Sequence, residues 1–236
     1  MIRKRNAKEG NAQRIRMNAL PAAPSASRIA CAMVTLILAG CGGSGSDPLA
    51  NPPTVTNSAA GQGQRLSFAY FQYCVNPIFD AKLPIVLSGS GVVNTCSNAS
   101  CHNNLTGHGG AFRVSPSASA ASLGQSTATI EASDIYKNFL SAQGETIIGA
   151  PDQSLILNKP LVRNVLHGGG LVLDDQPDQF LTNQFISDKD PVKLLEYWIS
   201  NPMPAGEDEF SPAAYSLFTP ALDPSNPNNG SKCNSN

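Results

Sequence analysis

The chain has 236 residues, with 16 lysines and arginines against 17 aspartates and glutamates, and a formal net charge of −1. That length allows one domain with appended segments, and 41% hydrophobic residues are enough for a modest core. The balance hides an asymmetry: residues 1–40 hold seven basic residues and one acidic residue, so residues 41–236 keep 9 basic and 16 acidic ones, a formal charge of −7. An acidic body of this kind is a poor partner for nucleic acid or for phospholipid head groups.

In chain order, the basic leader comes first: Arg3, Lys4, Arg5, Lys8, Arg14, Arg16 and Arg28. Met17 offers a second start within it. An apolar run follows from Ile29 to Leu38, broken only by Thr35. It is shorter than the about 20 residues that span a bilayer, and it suits the apolar region of a secretion signal. It ends in Leu38-Ala39-Gly40-Cys41, which resembles the bacterial lipobox. The resemblance implies cleavage before Cys41, a diacylglycerol on its sulfur and acylation of the new amino group. Each buried CH₂ of such chains adds ~0.8 kcal/mol to anchoring. An ordinary signal peptide with a coincidental cysteine is the plainer alternative. Gly42, where an aspartate would favour the inner membrane, points to the outer membrane of the bacterial envelope. Residues 1–40 are therefore read as a lipoprotein signal peptide and 41–64, rich in Gly, Ser, Pro, Asn and Ala, as a lipidated flexible tether.

The folded domain is expected over residues 65–209, mostly α with long loops. Phe68, Phe71, Val75, Ile78 and Phe79 recur at helical spacing between Leu66 and Phe79. Pro77 is expected to end or kink that helix near Asn76. Ser133 caps a helix bearing Ile135, Tyr136, Phe139 and Leu140. Asp152 or Gln153 opens a turn through Leu155, Ile156 and Leu157, ending before Pro160. Asp190 followed by Pro191 starts a last helix presenting Leu194, Leu195, Trp198 and Ile199, which stops before Pro202. Val92-Val93 and Leu171-Val172-Leu173 are the strand signals. Residues 210–236, dominated by Pro, Asn and Ser, are expected to form an irregular tail. Glu207-Asp208-Glu209 and the acidic stretch Asp174, Asp175 and Asp178 read as solvated runs.

The stretch richest in chemistry is Cys96-Ser97-Asn98-Ala99-Ser100-Cys101-His102. Cys-x-x-Cys-His is the signature of covalent c-type haem attachment. Two thiols add to the haem vinyl groups, and the histidine beside the second thiol becomes an axial ligand. Here the spacer has four residues. Two other readings stand beside it: disulfides among Cys74, Cys96, Cys101 and Cys233, and a zinc site built on Cys96, Cys101, His102 and a second histidine. The chain carries no Gly-x-Ser-x-Gly elbow and no Gly-x4-Gly-Lys-Ser/Thr loop.

The order of parts resembles the single-haem c-type cytochromes: a first helix, the Cys-x4-Cys-His stretch, and a closing helix with a tryptophan. Smaller pieces are similar to bacterial haem-binding domains of that family, namely Cys101-His102-Asn103, Gly109-Gly110-Ala111-Phe112-Arg113, Ser154-Leu155-Ile156-Leu157-Asn158-Lys159-Pro160, His167-Gly168-Gly169-Gly170 and Tyr197-Trp198-Ile199. The resemblance spans roughly residues 66–204. It implies a small cytochrome c-like helical fold with one haem c, thioethers from Cys96 and Cys101, and His102 as proximal iron ligand. In such domains the histidine of the His-Gly-Gly segment fills the distal role, which falls on His167. Met203, in Asn201-Pro202-Met203-Pro204, is the alternative distal ligand, and methionine would raise the potential. His108 is too close in sequence to His102 for an easy passage around a porphyrin and reads as a loop residue.

Two cysteines then remain, Cys74 and Cys233, and a disulfide between them would tie the tail to the first helix. The expected function is a membrane-anchored electron carrier of the cell envelope, facing the periplasm or the cell surface and serving a redox partner protein, rather than an enzyme. The competing functions are a haem-free, disulfide-stabilised binding or structural lipoprotein, and a haem sensor or peroxidase-like subunit with an open sixth position.

Overall fold

In the computed structural model, which describes residues 63–85, 92–173, 183–186 and 190–235, the domain is entered at Ser67. The signal peptide, Cys41, the tether up to residue 62 and the Asp174, Asp175 and Asp178 stretch lie outside the described residues. The Ser67 hydroxyl accepts the Tyr70 amide at 3.0 Å and caps a continuous helical segment. That segment consists of α1 (Phe68–Tyr70), a π-helical stretch (Phe71–Val75) and α2 (Asn76–Asp80). Residues 66–76 are all buried, as in a helix surrounded by its own domain. Pro77 does not end it. The π-helical turn shifts the hydrogen-bond register just before the proline, which then sits in the first turn of α2.

A two-residue ribbon follows, β1 (Leu83–Pro84) antiparallel to β2 (Val93–Asn94). Next come α3 (Thr127–Glu131), capped by Ser126, and α4 (Asp134–Gln143), capped by Ser133 through the Tyr136 amide at 3.3 Å. A 3₁₀ turn, Pro151–Gln153, leads into α5 (Leu155–Asn158). The last helix, α6 (Pro191–Ser200), opens as its sequence demands: Asp190 Oδ1 accepts the amides of Val192 at 2.9 Å and Lys193 at 3.3 Å. A second 3₁₀ stretch, Pro212–Leu217, precedes β3 (Phe218–Thr219), which pairs antiparallel with β4 (Lys232–Cys233). Among the described residues the regular structure is thus mainly helical, with four two-residue strands.

The centre is aromatic. Phe71 lies 5.4 Å, centroid to centroid, from both Phe139 and Trp198, and Phe68 lies 5.5 Å from Phe139. These contacts lock the first helical segment to α4 and α6, and each such pair adds about 0.5–1.5 kcal/mol beyond area burial. The buried indole of Trp198 satisfies its N–H on the Ser67 carbonyl at 3.0 Å.

Two local expectations are corrected. Leu171-Val172-Leu173 forms no strand, because the Val172 and Leu173 amides both turn back onto the Pro160 carbonyl. Glu209 is not solvated: it is 4% exposed, accepts the Tyr136 hydroxyl at 2.7 Å and pairs with Arg65 at 3.2 Å. Burial, and next the Glu209 carboxylate, push the Tyr136 hydroxyl pKa upward. The tail beyond Glu209 has little regular structure, yet it is packed: Ala214, Phe218, Leu222 and Cys233 are buried. Cys233 is disulfide-bonded to Cys74 in the central helical segment, across 159 residues of sequence.

Candidate functional site

The Cys96–His102 stretch follows β2 and is folded by short-range hydrogen bonds. Thr95 Oγ1 and the Ser97 amide both donate to the Phe79 carbonyl, at 2.7 and 3.0 Å, which fixes the loop to the end of α2. Asn98 organises the turn. Its side-chain oxygen accepts the Ser100 amide at 3.0 Å, and its carbonyl accepts the amides of Cys101 at 2.9 Å and Asn103 at 3.2 Å. The His102 amide then closes onto the Cys96 carbonyl at 2.9 Å. The four-residue spacer is therefore wound into a turn, and its first cysteine is brought back to the histidine.

His102 is held from three sides. Its carbonyl accepts the Val114 amide at 2.7 Å, and its Nδ1 lies 3.0 Å from the Phe112 carbonyl. A carbonyl only accepts, so Nδ1 carries the proton and Nε2 keeps its lone pair. The imidazole also packs on Phe112, centroid to centroid 4.9 Å. On the third side is Gly109, where a Cβ would stand 2.6 Å from His102 Cε1 and Nδ1; any side chain there would displace the ring. Behind the loop, the buried Arg113 donates from Nη1 to the Gly107 carbonyl at 2.6 Å, while its Nε and Nη2 have no partner.

His167 is set by its glycines. The Gly170 amide donates to the His167 carbonyl at 2.9 Å, and His167 Nδ1 lies 2.8 Å from the Gly170 carbonyl. Closing that turn requires Gly170 to adopt φ +77°, which a residue with a side chain adopts only under strain. By the same donor argument His167 has its proton on Nδ1 and its lone pair on Nε2. The two imidazoles lie with ring centres 6.2 Å apart and planes 8° apart.

Both rings line one cavity of about 580 Å³, together with Cys96, Cys101, His108, Lys159, Leu166 and others. That volume lies within the about 300–1,000 Å³ of small-molecule and cofactor sites. An apolar recess adjoins it, walled by Ile78, Phe79, Phe112, Ile156, Leu173 and Leu195. Leu166, at the cavity, is 93% exposed in the protein alone. Cys96 and Cys101 are not bonded to each other, and the Asn94 amide donates to Cys101 Sγ at 3.6 Å. Burial first, and then the neighbouring Cys101, push the Cys96 thiol up to about 12, so it stays protonated near neutral pH. Burial lowers the His102 pKa, opposed by the Phe112 carbonyl and assisted by His167, Arg113 and Lys159. His102 is thus kept as the neutral imidazole that binds metals.

Of the residues singled out in the sequence, Cys96, Cys101, His102 and His167 come together at this cavity, with the exposed His108 beside them. Met203 does not join them. It is buried, its amide donates to the Arg65 carbonyl at 2.6 Å, and it lines a separate cleft with Gln64, Ser200 and Leu217. Asn98, Lys159 and Glu145 were missed as site residues; Asn98 alone left a local signal, being a turn former between two cysteines. Among the described residues no three His, Cys, Asp or Glu side chains are grouped to hold a metal ion by themselves. No family model matches the chain, and comparison with curated proteins and with solved structures likewise finds no match.

Proposed function

We propose that this protein is a lipid-anchored c-type cytochrome of the bacterial envelope that carries electrons on one covalently attached haem. Cys96 and Cys101 would hold the haem by thioethers, with His102 and His167 as its axial ligands. The observation that carries this reading is the histidine pair. Two imidazoles bound end-on to one metal, through bonds of about 2.0–2.1 Å, place their ring centres roughly 6 Å apart, and here the separation is 6.2 Å. Each ring spends its Nδ1 proton on a backbone carbonyl, which leaves both Nε2 atoms for a metal. Haem brings its own ring nitrogens, so His102 and His167 would be the only side chains needed to hold its iron.

The rest of the site fits the same group. Two unpaired thiols line the cavity with the histidines. The mainly apolar lining of the larger cavity and the exposed Leu166 suit a largely apolar macrocycle. When bound, haem supplies one-electron chemistry that no side chain here provides. The chain's part is to orient His102 through Phe112 and Gly109, to orient His167 through Gly170, and to exclude water with the Phe79 and Phe112 rings. The Cys74–Cys233 disulfide agrees with an oxidising compartment. The leader and the lipobox-like Leu38-Ala39-Gly40-Cys41 support export and anchoring, with the outer membrane favoured.

The test is a haem stain after denaturing, reducing electrophoresis of the full chain, produced with haem c maturation machinery, beside Cys96→Ala/Cys101→Ala. Haem that stays with the wild-type band and leaves the variant supports the proposal. No haem in either band overturns it and favours a haem-free lipoprotein.

A further inference from the structure

Lys159 and Glu145 form an ion pair at this site, Nζ to Oε2 3.3 Å. Both side chains line the apolar recess shared with Cys96, His102 and His167, and Lys159 also lines the larger cavity. The pair is held from the backbone. Glu145 follows α4, and its carbonyl accepts the Ile156 amide at 3.0 Å, which fixes it to α5. Lys159 is the residue that ends α5. The Lys159 side chain is 38% exposed and that of Glu145 13%. An ion pair this accessible contributes little to folding, so its position matters more than its strength.

We infer that Lys159 and Glu145 tune the reduction potential of the site in opposite directions, Lys159 raising it and Glu145 lowering it. The inference rests on the haem reading above. Reduction adds one electron to the site, makes and breaks no bond, and lowers the local charge by one. A cation beside the axial ligands favours that change, and a carboxylate opposes it. Beside an apolar recess such charges are screened less than in water, and local charge is one of the means by which a protein moves a haem potential. As a pair the two charges largely cancel, so removing either one exposes the other.

The experiment is a potentiometric titration with dithionite of the full, folded, haem-loaded chain, comparing wild type with Lys159→Gln, Lys159→Arg and Glu145→Gln. The midpoint is expected to fall in Lys159→Gln, to rise in Glu145→Gln and to stay near wild type in Lys159→Arg. Midpoints that do not move, or that move in the same direction in Lys159→Gln and Glu145→Gln, overturn the inference, since loss of a merely structural contact has no reason to act with opposite signs. If Lys159→Gln fails to fold, Glu145→Gln decides alone: an unchanged or lowered midpoint is fatal. Failure of the haem reading shows separately, as a wild-type band without haem stain.

Discussion

His102 and His167, separated by 65 residues of sequence, lie with their imidazole planes within 8° and their ring centres 6.2 Å apart. Each is pinned through Nδ1 to a carbonyl in its own loop, Phe112 for one and Gly170 for the other. The two loops are otherwise unrelated. Their convergence on one cavity with Cys96 and Cys101 carries the functional reading.

If His102 and His167 both ligate a haem iron, as proposed, the reduced protein is expected to bind carbon monoxide slowly or not at all. Near-parallel imidazole planes should also give the oxidised protein a rhombic low-spin electron paramagnetic resonance spectrum. His167→Ala should open the sixth position, so that carbon monoxide binds rapidly on reduction. Met203→Leu, altering a residue outside the cavity, should leave both spectra unchanged. A Met203 variant that gains carbon monoxide binding while His167→Ala does not would reverse the ligand assignment.

Gly109 is required by contact. A methyl group there would stand 2.6 Å from the His102 ring, whereas at Gly168 a Cβ meets nothing within 4 Å. Were haem held through Cys96 and Cys101, Gly109→Ala should keep the haem but displace the His102 ring, so that the reduced variant binds carbon monoxide faster than the wild type. Gly168→Ala should behave as the wild type. Carbon monoxide binding to the two reduced variants checks this, and equally slow binding would remove the role assigned to Gly109.

The Cys74–Cys233 bridge closes a loop of 159 residues and joins the tail to the central helical segment. Replacing both cysteines by alanine should cost about 2–5 kcal/mol of stability, chiefly by freeing the unfolded chain. Urea unfolding followed by tryptophan fluorescence reads this through Trp198, the chain's one tryptophan. Haem attachment should survive, because neither cysteine lines the cavity. Unchanged stability would mean that the tail is held by its packing alone.

Elements governed by their immediate neighbours were legible in the sequence. Ser133 and Asp190-Pro191 start helices where expected, because a cap and a proline at the first helical position act within three residues. The Cys96–His102 stretch stood out by its residue types and order, and the structure brings Cys96, Cys101 and His102 to one cavity. Of the two outcomes expected at Pro77, the helix does not end there: its register changes from π to α at Asn76 and the segment runs on to Asp80. Glu209 misled because its burial depends on Arg65 and Tyr136, more than 70 residues away in sequence.

The sequence by itself determined the mainly helical character and the set of residues able to ligate a metal. Only the tertiary structure decided which of them meet. In the sequence His167 and Met203 both stood as distal candidates; the glycine turn after α5 places His167 at the cavity, while the packing after α6 keeps Met203 away. Propensities and caps act over a turn of chain, whereas the distance between two rings depends on the packing of the whole core between them.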